Sequence, residues 1–290
     1  MSTEIIGGYR LRNLMMTGQT SQVWEVVELT SNRHFAMKML LPEKARSAEH
    51  RRFLFHEAEV GRKLAHPNII RIYSVVKDAA NPYFIMEFFP AGSLKLRLIR
   101  RQTDWVKERL QSILKQVATA MAYMNASGWV HRDLKPDNIL CNNAGEVRII
   151  DFALARRVQK KGLFGGLFKR KAKTQGTRTY MSPEQIRSQP LDGRADIYSF
   201  GVSAYELATG RPPFRGLTAQ DLLNRHLAEK ATTPSAYNPD LTDDFCAFLL
   251  RMLAKKREDR PKDFHEVLMQ LRNMRIFKSQ AAQPAAGESG

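Results

Sequence analysis

The stretch that most constrains the fold of this chain covers residues 131–151, where polar side chains stand at both ends of two short apolar runs. The runs, 139–141 and 147–150, flank an Asn-Asn-Ala-Gly turn, a pattern that is typical of a β-hairpin. Such a hairpin would bring Asn138 and Asp151 together at its open end. Two oxygen-bearing side chains on neighbouring strand ends can share a hard divalent cation such as Mg²⁺, which often keeps substrate phosphates as further ligands.

This stretch, HRDLKPDN followed by DFA, resembles the catalytic loop and metal-binding segment of eukaryotic-type protein kinases, H-R-D-L-K-x-x-N and D-F-G. The resemblance implies that Asp133 orients and deprotonates a substrate hydroxyl and that Lys135 steadies the transferred phosphoryl group. It also implies that Asn138 and Asp151 hold Mg²⁺. A lysine two residues after the aspartate is the serine/threonine form of the loop. Ala153 departs from the family, which has glycine at this position.

The length and composition of the chain fit one large domain or two lobes, and we expect two lobes. The chain has 290 residues, of which 43% are hydrophobic. Its cysteines, Cys141 and Cys246, are too few and too far apart to predict a disulfide framework or a metal cluster, so we expect reduced, buried thiols. The first residues lack a signal-peptide pattern and no apolar run approaches about 18 residues, which predicts a soluble, cytoplasmic protein.

The positive charge of the chain is concentrated in one segment. The formal net charge is +17, and residues 156–173 contain eight Lys or Arg and no acidic residue. No RNA- or DNA-binding motif accompanies them, so we expect no specific nucleic-acid partner. Within the segment, residues 162–168 place large apolar side chains among glycines. A mobile loop with solvated charges is the plainer interpretation, and contact with an anionic surface through 156–173 is the alternative.

Alternating apolar residues predict three strands near the N-terminus, at 9–16, 23–29 and 34–40. The turn between the first two lies where protein kinases carry a glycine-rich loop, G-x-G-x-x-G-x-V, over the ATP phosphates. Only the middle glycine is kept, and the segment alone would be interpreted as an ordinary hairpin turn. By the resemblance, the ATP-binding positions of this loop are Met16, Gly18, Ser21 and Val23.

The segment Ala-Met-Lys at 36–38, on the third strand, stands in the place of the V-A-I-K segment of protein kinases. The resemblance implies that Ala36 lines the ATP site and that Lys38 contacts the α- and β-phosphates. Residues 47–64 have the pattern of an amphipathic helix, which carries Glu57 nine residues before a His-Pro-Asn-Ile-Ile segment. We therefore expect an ion pair between Lys38 and Glu57, with Glu59 as the other candidate.

Two further strands, 69–76 and 83–89, complete the small antiparallel sheet that the pattern predicts. Residues 87–92 resemble the hinge between the two lobes of a kinase. The resemblance implies that the backbone of Glu87 and Phe89 faces the adenine of ATP.

A kinase domain is expected over residues 9–275, with an α+β, bilobal fold. Residues 9–86 would form a small lobe with an antiparallel sheet and one helix, and residues 93–275 a larger, mainly helical lobe. Residues 279–290, rich in Ala, Gln and Gly, are expected to form a disordered tail or the start of a linker. The helices predicted for the larger lobe lie at 106–127, 195–209, 217–228, 241–254 and 262–275.

Residues 176–184, GTRTYMSPE, resemble the end of a kinase activation segment, the part of the chain that controls activity. The resemblance implies that Thr177 bonds to Asp133 and Lys135. It further implies that Glu184 pairs with Arg260. Asp196, on the second long helix of the larger lobe, is expected to anchor the catalytic-loop backbone.

Phosphorylation of the activation segment is expected to switch the enzyme on, with Thr174 as the site. In the family, an arginine at the position of Arg132 marks kinases whose catalytic loop is held by a phosphate from this segment. A loop that is rich in cations repels itself, and a phosphate would order it. Thr177 is a poorer candidate because its hydroxyl is needed beside Asp133, and Thr179 lies too near the substrate to reach Arg132.

The sequence therefore predicts a serine/threonine protein kinase that uses ATP and Mg²⁺, with Mn²⁺ as an alternative ion, on protein substrates. A pseudokinase scaffold is the main alternative, because Met16, Ser21, Ala153 and Gly61 depart from the family. Gly61 lacks a side chain to pack its helix against Phe152, which should loosen the helix. A small-molecule kinase of related fold is less favoured, because Lys135 and the segment 176–184 suit a peptide-accepting site.

Overall fold

The computed structural model describes residues 4–77, 80–158 and 176–280. These residues form a small lobe built on an antiparallel sheet and a larger, mainly helical lobe. The α+β, bilobal fold that the sequence predicts is confirmed.

Six strands of the described ranges form the sheet of the small lobe, in the spatial order β1-β2-β3-β4-β6-β5. The other four form two ribbons, β7 with β10 and β8 with β9. Apolar and β-branched residues favour the long strands β3 and β4, whereas the two-residue β1 is too short to show a period. The strands are β1 (Ile5–Ile6), β2 (Tyr9–Thr17), β3 (Ser21–Glu28), β4 (His34–Leu40), β5 (Ile72–Val76), β6 (Tyr83–Glu87), β7 (Trp129–Val130), β8 (Ile139–Cys141), β9 (Val147–Ile149) and β10 (Arg156–Arg157).

The small lobe contains the expected long helix and, before it, a one-turn helix that the sequence pattern did not reveal. Pro42 and Glu43 at its start favour this short turn, but four residues are too few to display a helical period. The helices of the described ranges are α1 (Pro42–Ala45), α2 (Ala48–Lys63), α3 (Leu94–Ile99), α4 (Thr103–Ala126), α5 (Pro183–Ile186), α6 (Gly193–Thr209), α7 (Ala219–Ala228), α8 (Asp243–Met252) and α9 (Phe264–Asn273).

Helices α4 and α6 form the centre of the larger lobe and support the segment between β7 and β8. The apolar stripe of α4 is buried, and every residue of α6 from Ala195 to Ala208 is buried as well. Asp192 caps the N-terminus of α6, and Gly210 ends it with a φ of 75°, a left-handed conformation that glycine adopts without strain. A β-carbon at Gly201 would lie 2.8 Å from Cβ of Met252, so glycine allows α8 to pack closely.

Both cysteines are buried free thiols, as expected. Within 4–77, 80–158 and 176–280, no helix combines the length and the apolar character that crossing a membrane would require.

Two expectations about packing and order are wrong. Gly61 does not leave a gap beside α2, because a β-carbon there would lie 2.4 Å from Cδ1 of Ile72 and 3.2 Å from Cδ2 of Phe152. The side chains of Ile72 and Phe152 therefore fill the space that a side chain at position 61 would need. The predicted disordered tail does not begin at Ser279, whose amide and hydroxyl donate to the Asp240 carboxylate at 2.9 and 2.7 Å. Residues 281–290 lie outside the described ranges.

Candidate active site

The hairpin of β8 and β9 brings the two predicted metal-binding residues together. Ile139 is opposite Ile149 in the ladder, and the amide of Ile150 donates to the carbonyl of Asn138 over 3.0 Å. Asn138 and Asp151 therefore flank the open end of the hairpin, as the sequence predicted.

Asp133 lies beside this open end, and three neighbours hold its carboxylate. Oδ1 accepts the backbone N–H of Thr177 at 2.8 Å, while Oδ2 lies 2.8 Å from Nζ of Lys135 and 3.2 Å from Nδ2 of Asn138. Lys135 also donates to the hydroxyl of Thr177. Thr177 thus contacts both predicted partners, but its backbone amide rather than its hydroxyl bonds to Asp133. The network fixes the carboxylate at the edge of the cleft between the lobes.

The backbone of the catalytic loop is strained where it approaches this network. Arg132 has a φ of 71° and Asp151 a φ of 67°, values that cost a non-glycine residue about 1–3 kcal/mol. Asp196 offsets the strain at Arg132, since its carboxylate accepts the backbone N–H groups of His131 and Arg132, each at 2.9 Å. Asp196 is fully buried in α6, so the predicted anchoring of the loop is confirmed.

The predicted ion pair between Lys38 and Glu57 is present, with Nζ 2.8 Å from Oε1 and 2.7 Å from Oε2. Glu59 instead faces solvent and pairs with Lys63. Burial raises the pKa of Glu57 to about 7; the Lys38 ammonium opposes this rise and the nearby charge of Asp151 adds to it. Burial works against the Lys38 ammonium, but the two carboxylates outweigh it and raise the pKa of Lys38. The charges of two carboxylates, the buried Glu57 and the half-buried Asp151, thus act on the half-buried Lys38 ammonium.

The residues Asn138 and Asp151 fit a hard divalent cation. Nδ2 of Asn138 donates to the carbonyl of Asp133 at 2.9 Å, so the amide nitrogen already has a partner. None of the described residues donates to Oδ1 of Asn138. Burial alone would raise the pKa of Asp151, but the Lys38 ammonium and the Ala153 amide lower it, so the carboxylate is ionised. One carboxylate and one amide oxygen form the oxygen donor set that Mg²⁺ or Mn²⁺ prefers.

The tip of the loop between β2 and β3 lies beside the end of the activation segment, with which Gln19 lines a groove. Met16 is opposite Val23 in the ladder and its side chain is 51% exposed. The amide of Gly18 donates to the carbonyl of Ser21 at 2.8 Å, which closes the turn. A β-carbon at Gly18 would come no closer than 3.4 Å to that carbonyl, so the turn itself does not require glycine.

One face of the sheet carries the residues predicted to surround ATP. Val23 is opposite Lys38 and Ala36 is opposite Met86, and directly opposed residues of an antiparallel pair share a face. Val23 and Ala36 are buried. This face therefore presents small apolar side chains beside the Lys38 ammonium.

The hinge offers backbone groups rather than side chains. The amide of Glu87 donates to the carbonyl of Arg71, and the carbonyl of Phe89 accepts the amide of Ala91, each at 2.8 Å. The amide of Phe89 has no acceptor among the described residues. Arg148 holds the hinge from behind, since its Nε lies 2.9 Å from Oε1 of Glu87 and its guanidinium covers the Phe89 ring.

The end of the activation segment is fixed by a buried ion pair. Arg260 donates to both carboxylate oxygens of Glu184, at 2.7 and 2.9 Å, and both side chains are buried, which confirms the predicted pairing. The predicted phosphorylation site, Thr174, and residues 162–168 lie outside the described residues.

Sequence reasoning missed a second set of charges close to the catalytic loop. Nζ of Lys95, on α3, lies 2.6 Å from Oε1 of Glu206, on α6. The hydroxyl of Tyr180 donates to the other carboxylate oxygen at 2.5 Å. Lysine and glutamate 111 positions apart give no local signal, and only the burial of α6 from Ala195 to Ala208 could have drawn attention to a glutamate there.

A groove of about 740 Å³ is lined in part by the end of the activation segment. It is open to solvent, and the side chain of Leu217 on its rim is fully exposed. Its lining combines the tip of the β2–β3 loop, the end of the activation segment and the residues around the start of α7: Gln19, Gly176, Thr177, Arg178, Thr179, Gly216, Leu217, Thr218, Ala219 and Leu222.

Comparisons with known proteins agree with the arrangement of these residues. Residues 9–272 match the family model described as the protein kinase domain. A probable serine/threonine-protein kinase of Clostridium acetobutylicum is 30% identical over 278 residues, which are 95% of this chain and 41% of the relative. A probable serine/threonine-protein kinase of Corynebacterium efficiens is 33% identical over 268 residues, 90% of this chain and 40% of the relative.

Serine/threonine-protein kinase PknB of Mycobacterium tuberculosis is also similar, with 30% identity over 256 residues that cover 87% of this chain and 40% of the relative. The chain thus spans about two fifths of the length of these relatives.

Proposed function

The chain belongs to the protein kinase family, and we propose that it transfers the γ-phosphoryl group of MgATP to serine or threonine hydroxyls of protein substrates. The observation that carries this proposal is the fixed carboxylate of Asp133, held by Thr177, Lys135 and Asn138 beside a groove that is wide enough for a peptide.

In the proposed reaction, Asp133 orients the acceptor hydroxyl and receives its proton. Lys135, bonded to both Asp133 and Thr177, neutralises charge on the phosphoryl group as it moves. Lys38, fixed by Glu57, binds the α- and β-phosphates. Mg²⁺ or Mn²⁺ held by Asn138 and Asp151 would neutralise the remaining phosphate charge. Positioned charges of this kind supply most of the catalysis in phosphoryl transfer.

A pseudokinase scaffold is less well supported than an active kinase. Ala153, which replaces the family's glycine, still donates its amide to Oδ1 of Asp151 at 3.3 Å, and its φ is not among the positive values. An alanine at this position therefore keeps the bond without backbone strain. All of the proposed reacting groups are present: Lys38, Asp133, Lys135, Asn138 and Asp151.

Incubation of the purified chain with γ-labelled ATP, Mg²⁺ and a mixture of serine- and threonine-containing peptides tests this function. We expect acid-stable label on serine or threonine that depends on the divalent ion. Binding of ATP without transfer of label to any peptide or to the chain itself would support the scaffold instead.

We further propose that a phosphate on the activation segment raises activity. Three guanidinium groups, of Arg132, Arg156 and Arg52, lie close together: burial and the charge of Arg156 lower the pKa of Arg132, and burial and the charge of Arg52 lower the pKa of Arg156. Nε of Arg132 is buried and has no partner among the described residues. A phosphate dianion would relieve the repulsion and accept charge-assisted hydrogen bonds from the cluster.

Thr174 is the proposed site of this phosphate. Mass spectrometry of the autophosphorylated chain should find it modified, and removal of the phosphate should lower activity. Arg132→Gln should abolish the difference between the two forms, while Thr174→Ala should match the dephosphorylated enzyme. If Thr174 is unmodified, or if the Thr174→Ala enzyme is fully active, control would instead come from a partner at α2.

The location in the cytoplasm, the lack of a specific nucleic-acid partner and contact of residues 156–173 with an anionic surface stay predictions.

A further inference from the structure

The groove of about 740 Å³ at the end of the activation segment, here called the acceptor groove, is lined by separate elements. Residues 176–179 line one part of it, and Ala219 and Leu222, on α7, line another. The amide of Thr177 donates to the Asp133 carboxylate, so a peptide in this groove lies next to the proposed proton acceptor. The position of α7 relative to the activation segment therefore affects how a peptide is presented to Asp133.

A cluster of buried aromatic side chains supports both parts of the acceptor groove. Tyr180, which directly follows the groove-lining residues 176–179, belongs to one cluster with Tyr198 of α6 and with Phe214. Leu222, which lines the groove, packs against the same cluster. The two parts of the groove thus have a common support.

His226, one turn after Leu222 on α7, is fully buried beside this cluster. Its ring meets Phe214 edge-on, with the ring centroids 4.9 Å apart, and its Nδ1 lies 2.9 Å from the hydroxyl of Tyr198. Nε2 is also buried, but it completes no hydrogen bond of ordinary geometry with the described residues. A buried polar atom without a good partner is costly, so a histidine at this position needs an explanation.

The charge state of the ring identifies the neighbour of Nε2. Burial lowers the pKa of His226 to about 4 and the Lys255 ammonium adds to this effect, so the ring is neutral near neutral pH and has a single N–H. The backbone of Thr179 opposes this shift of the pKa through a weak hydrogen bond. A bond that raises the pKa of a histidine is one that the ring donates, so its acceptor is the Thr179 carbonyl. Burial raises the pKa of Tyr198, so its hydroxyl stays protonated and donates to Nδ1, which leaves the N–H at Nε2.

We propose that His226 is a positioning residue of the acceptor groove, which holds the turn at Thr179 against α7 and so fixes the groove for a peptide. His226 does not touch the substrate; it acts through Thr179, which lines the groove. The bond from Nε2 to the Thr179 carbonyl shortens when a peptide draws the two parts of the groove together. Completion of this buried bond then favours the peptide-bound state. The inference rests on the proposed transfer to protein hydroxyls.

The test measures KM for a threonine peptide, KM for ATP and kcat in His226→Phe, which keeps a buried aromatic ring but has no N–H. KM for the peptide should rise about tenfold, while KM for ATP and kcat stay within about twofold. His226→Gln, whose side-chain amide is a donor near the position of Nε2, should stay within about threefold of the wild type in all three quantities. Asn224→Ala is the control on α7, since Asn224 is exposed and lies outside the groove lining, and it should change none of them.

A double variant separates positioning from folding stability. His226→Phe leaves the Tyr198 hydroxyl buried without its partner, which lowers stability as well. Tyr198→Phe in the same chain removes that hydroxyl, so the double variant should recover stability in thermal melts but keep the raised KM for the peptide. Recovery of the peptide KM together with stability would show a purely structural role and refute the proposal.

NMR of the wild-type chain with ¹⁵N-labelled histidine decides the question even if the variants do not fold. His226 should be the Nε2–H tautomer near neutral pH, and saturation with the peptide should move its Nε2 proton downfield. An Nδ1–H tautomer, or an Nε2 resonance that the peptide leaves unchanged, would overturn the inference.

The outcomes also separate this inference from the proposed function. An unchanged peptide KM in a folded His226→Phe enzyme refutes the role of His226 and leaves the kinase activity standing. If the wild type transfers no label to any peptide or to itself, the proposed function fails and this inference falls with it.

Discussion

The catalytic loop and the phosphate loop are predicted to act on the same ATP molecule, but the fold holds them very differently. The loop 131–138 is fixed from below by Asp196 and from the side by Thr177. The turn between β2 and β3 has its own closing hydrogen bond, and the end of β2 that leads into it carries large exposed side chains, Met15 and Met16, beside a ladder irregularity between Leu14 and Met16.

This difference between the two loops indicates which groups of the site must have a fixed geometry. The groups that meet charge as it develops must be fixed before the reaction, because reorganisation at that moment costs energy. A loop that covers the phosphates can close after ATP has bound. Substitutions in the phosphate loop should therefore change ATP binding, whereas substitutions in the catalytic region should change the rate of transfer.

The largest effect should come from the charged groups of the rigid region. Lys38→Met should lower the phosphotransfer rate about a hundredfold or more, on the order of 3 kcal/mol, because it removes a preorganised cation. Lys63→Met is the control, since Lys63 forms only an exposed pair with Glu59 on α2. Steady-state kinetics of both variants, with thermal melts to verify folding, measure the effect. Equal activity of the two variants would contradict the claim that the charged groups of the rigid region have the largest effect on the rate.

The support that Asp196 gives to the backbone of the catalytic loop can be tested with the variant Asp196→Ala. The change leaves two backbone N–H groups without their acceptor and releases the strained Arg132, so we expect a loss of about 3 kcal/mol of stability and a kcat lower by about tenfold to a hundredfold. Asp192→Ala, four residues earlier on the same helix, removes an N-terminal cap and a partly exposed pair with Arg194, and it should cost about 1 kcal/mol without a change in kcat. Chemical denaturation and kinetics of the two variants give both quantities. A normal kcat in Asp196→Ala would show that the anchor is dispensable.

The Lys38–Glu57 pair should make activity depend on pH. Glu57 titrates at about 7 in the folded chain, against an ordinary value of 4.5, so it is protonated below that pH and the ion pair is lost. The folded state then holds a proton that the unfolded state releases above about 4.5, and the stability contributed by this group falls as pH rises from about 4.5 to about 7. Activity has the opposite dependence: kcat/KM for ATP should fall as pH drops below about 7.

The pH–rate profile of the wild type, compared with that of Glu57→Gln, checks this assignment. The variant should have low activity and lack the fall below about pH 7. An identical acid limb in both enzymes would assign the titration to another group.

The smallest effect is expected in the phosphate loop. Met16→Gly with Ser21→Gly should lower KM for ATP several-fold and leave kcat nearly unchanged, because smaller residues let backbone N–H groups approach the phosphates. Leu14→Gly, on the same strand but outside the glycine positions, is a control for the loss of exposed apolar surface. An unchanged or higher KM in the double variant would indicate that the loop does not close over ATP in the family's manner.

The parts of the site that could be predicted from the sequence are those fixed by short segments. Asn138 and Asp151 flank one hairpin, and the charged pair Lys38 and Glu57 each stand in a recognisable local pattern. The amide of Thr177 bonds to Asp133, whereas its hydroxyl bonds to Lys135. This arrangement depends on the path of the backbone, which residue types do not specify.

The parts that could not be predicted depend on side chains brought together from distant segments. From the sequence, Gly61 suggested a gap in the packing beside α2. In the structure, the side chain of Ile72, on β5, fills this space. The Lys95–Glu206 pair joins a six-residue helix to the buried α6. Neither contact has a periodic signal, since each depends on the packing of one helix against a neighbouring element.

The most direct test of the account compares the wild type with Asp133→Asn in the transfer of label from γ-labelled ATP to a threonine peptide with Mg²⁺. Asparagine keeps the size of the side chain and an oxygen that can accept the Thr177 amide, but it cannot take the proton of the acceptor. We expect acid-stable phosphothreonine from the wild type and a rate at least about a hundredfold lower from the variant, with ATP binding preserved in both. Equal rates from the two proteins would contradict the assignment of Asp133 and with it the proposed mechanism.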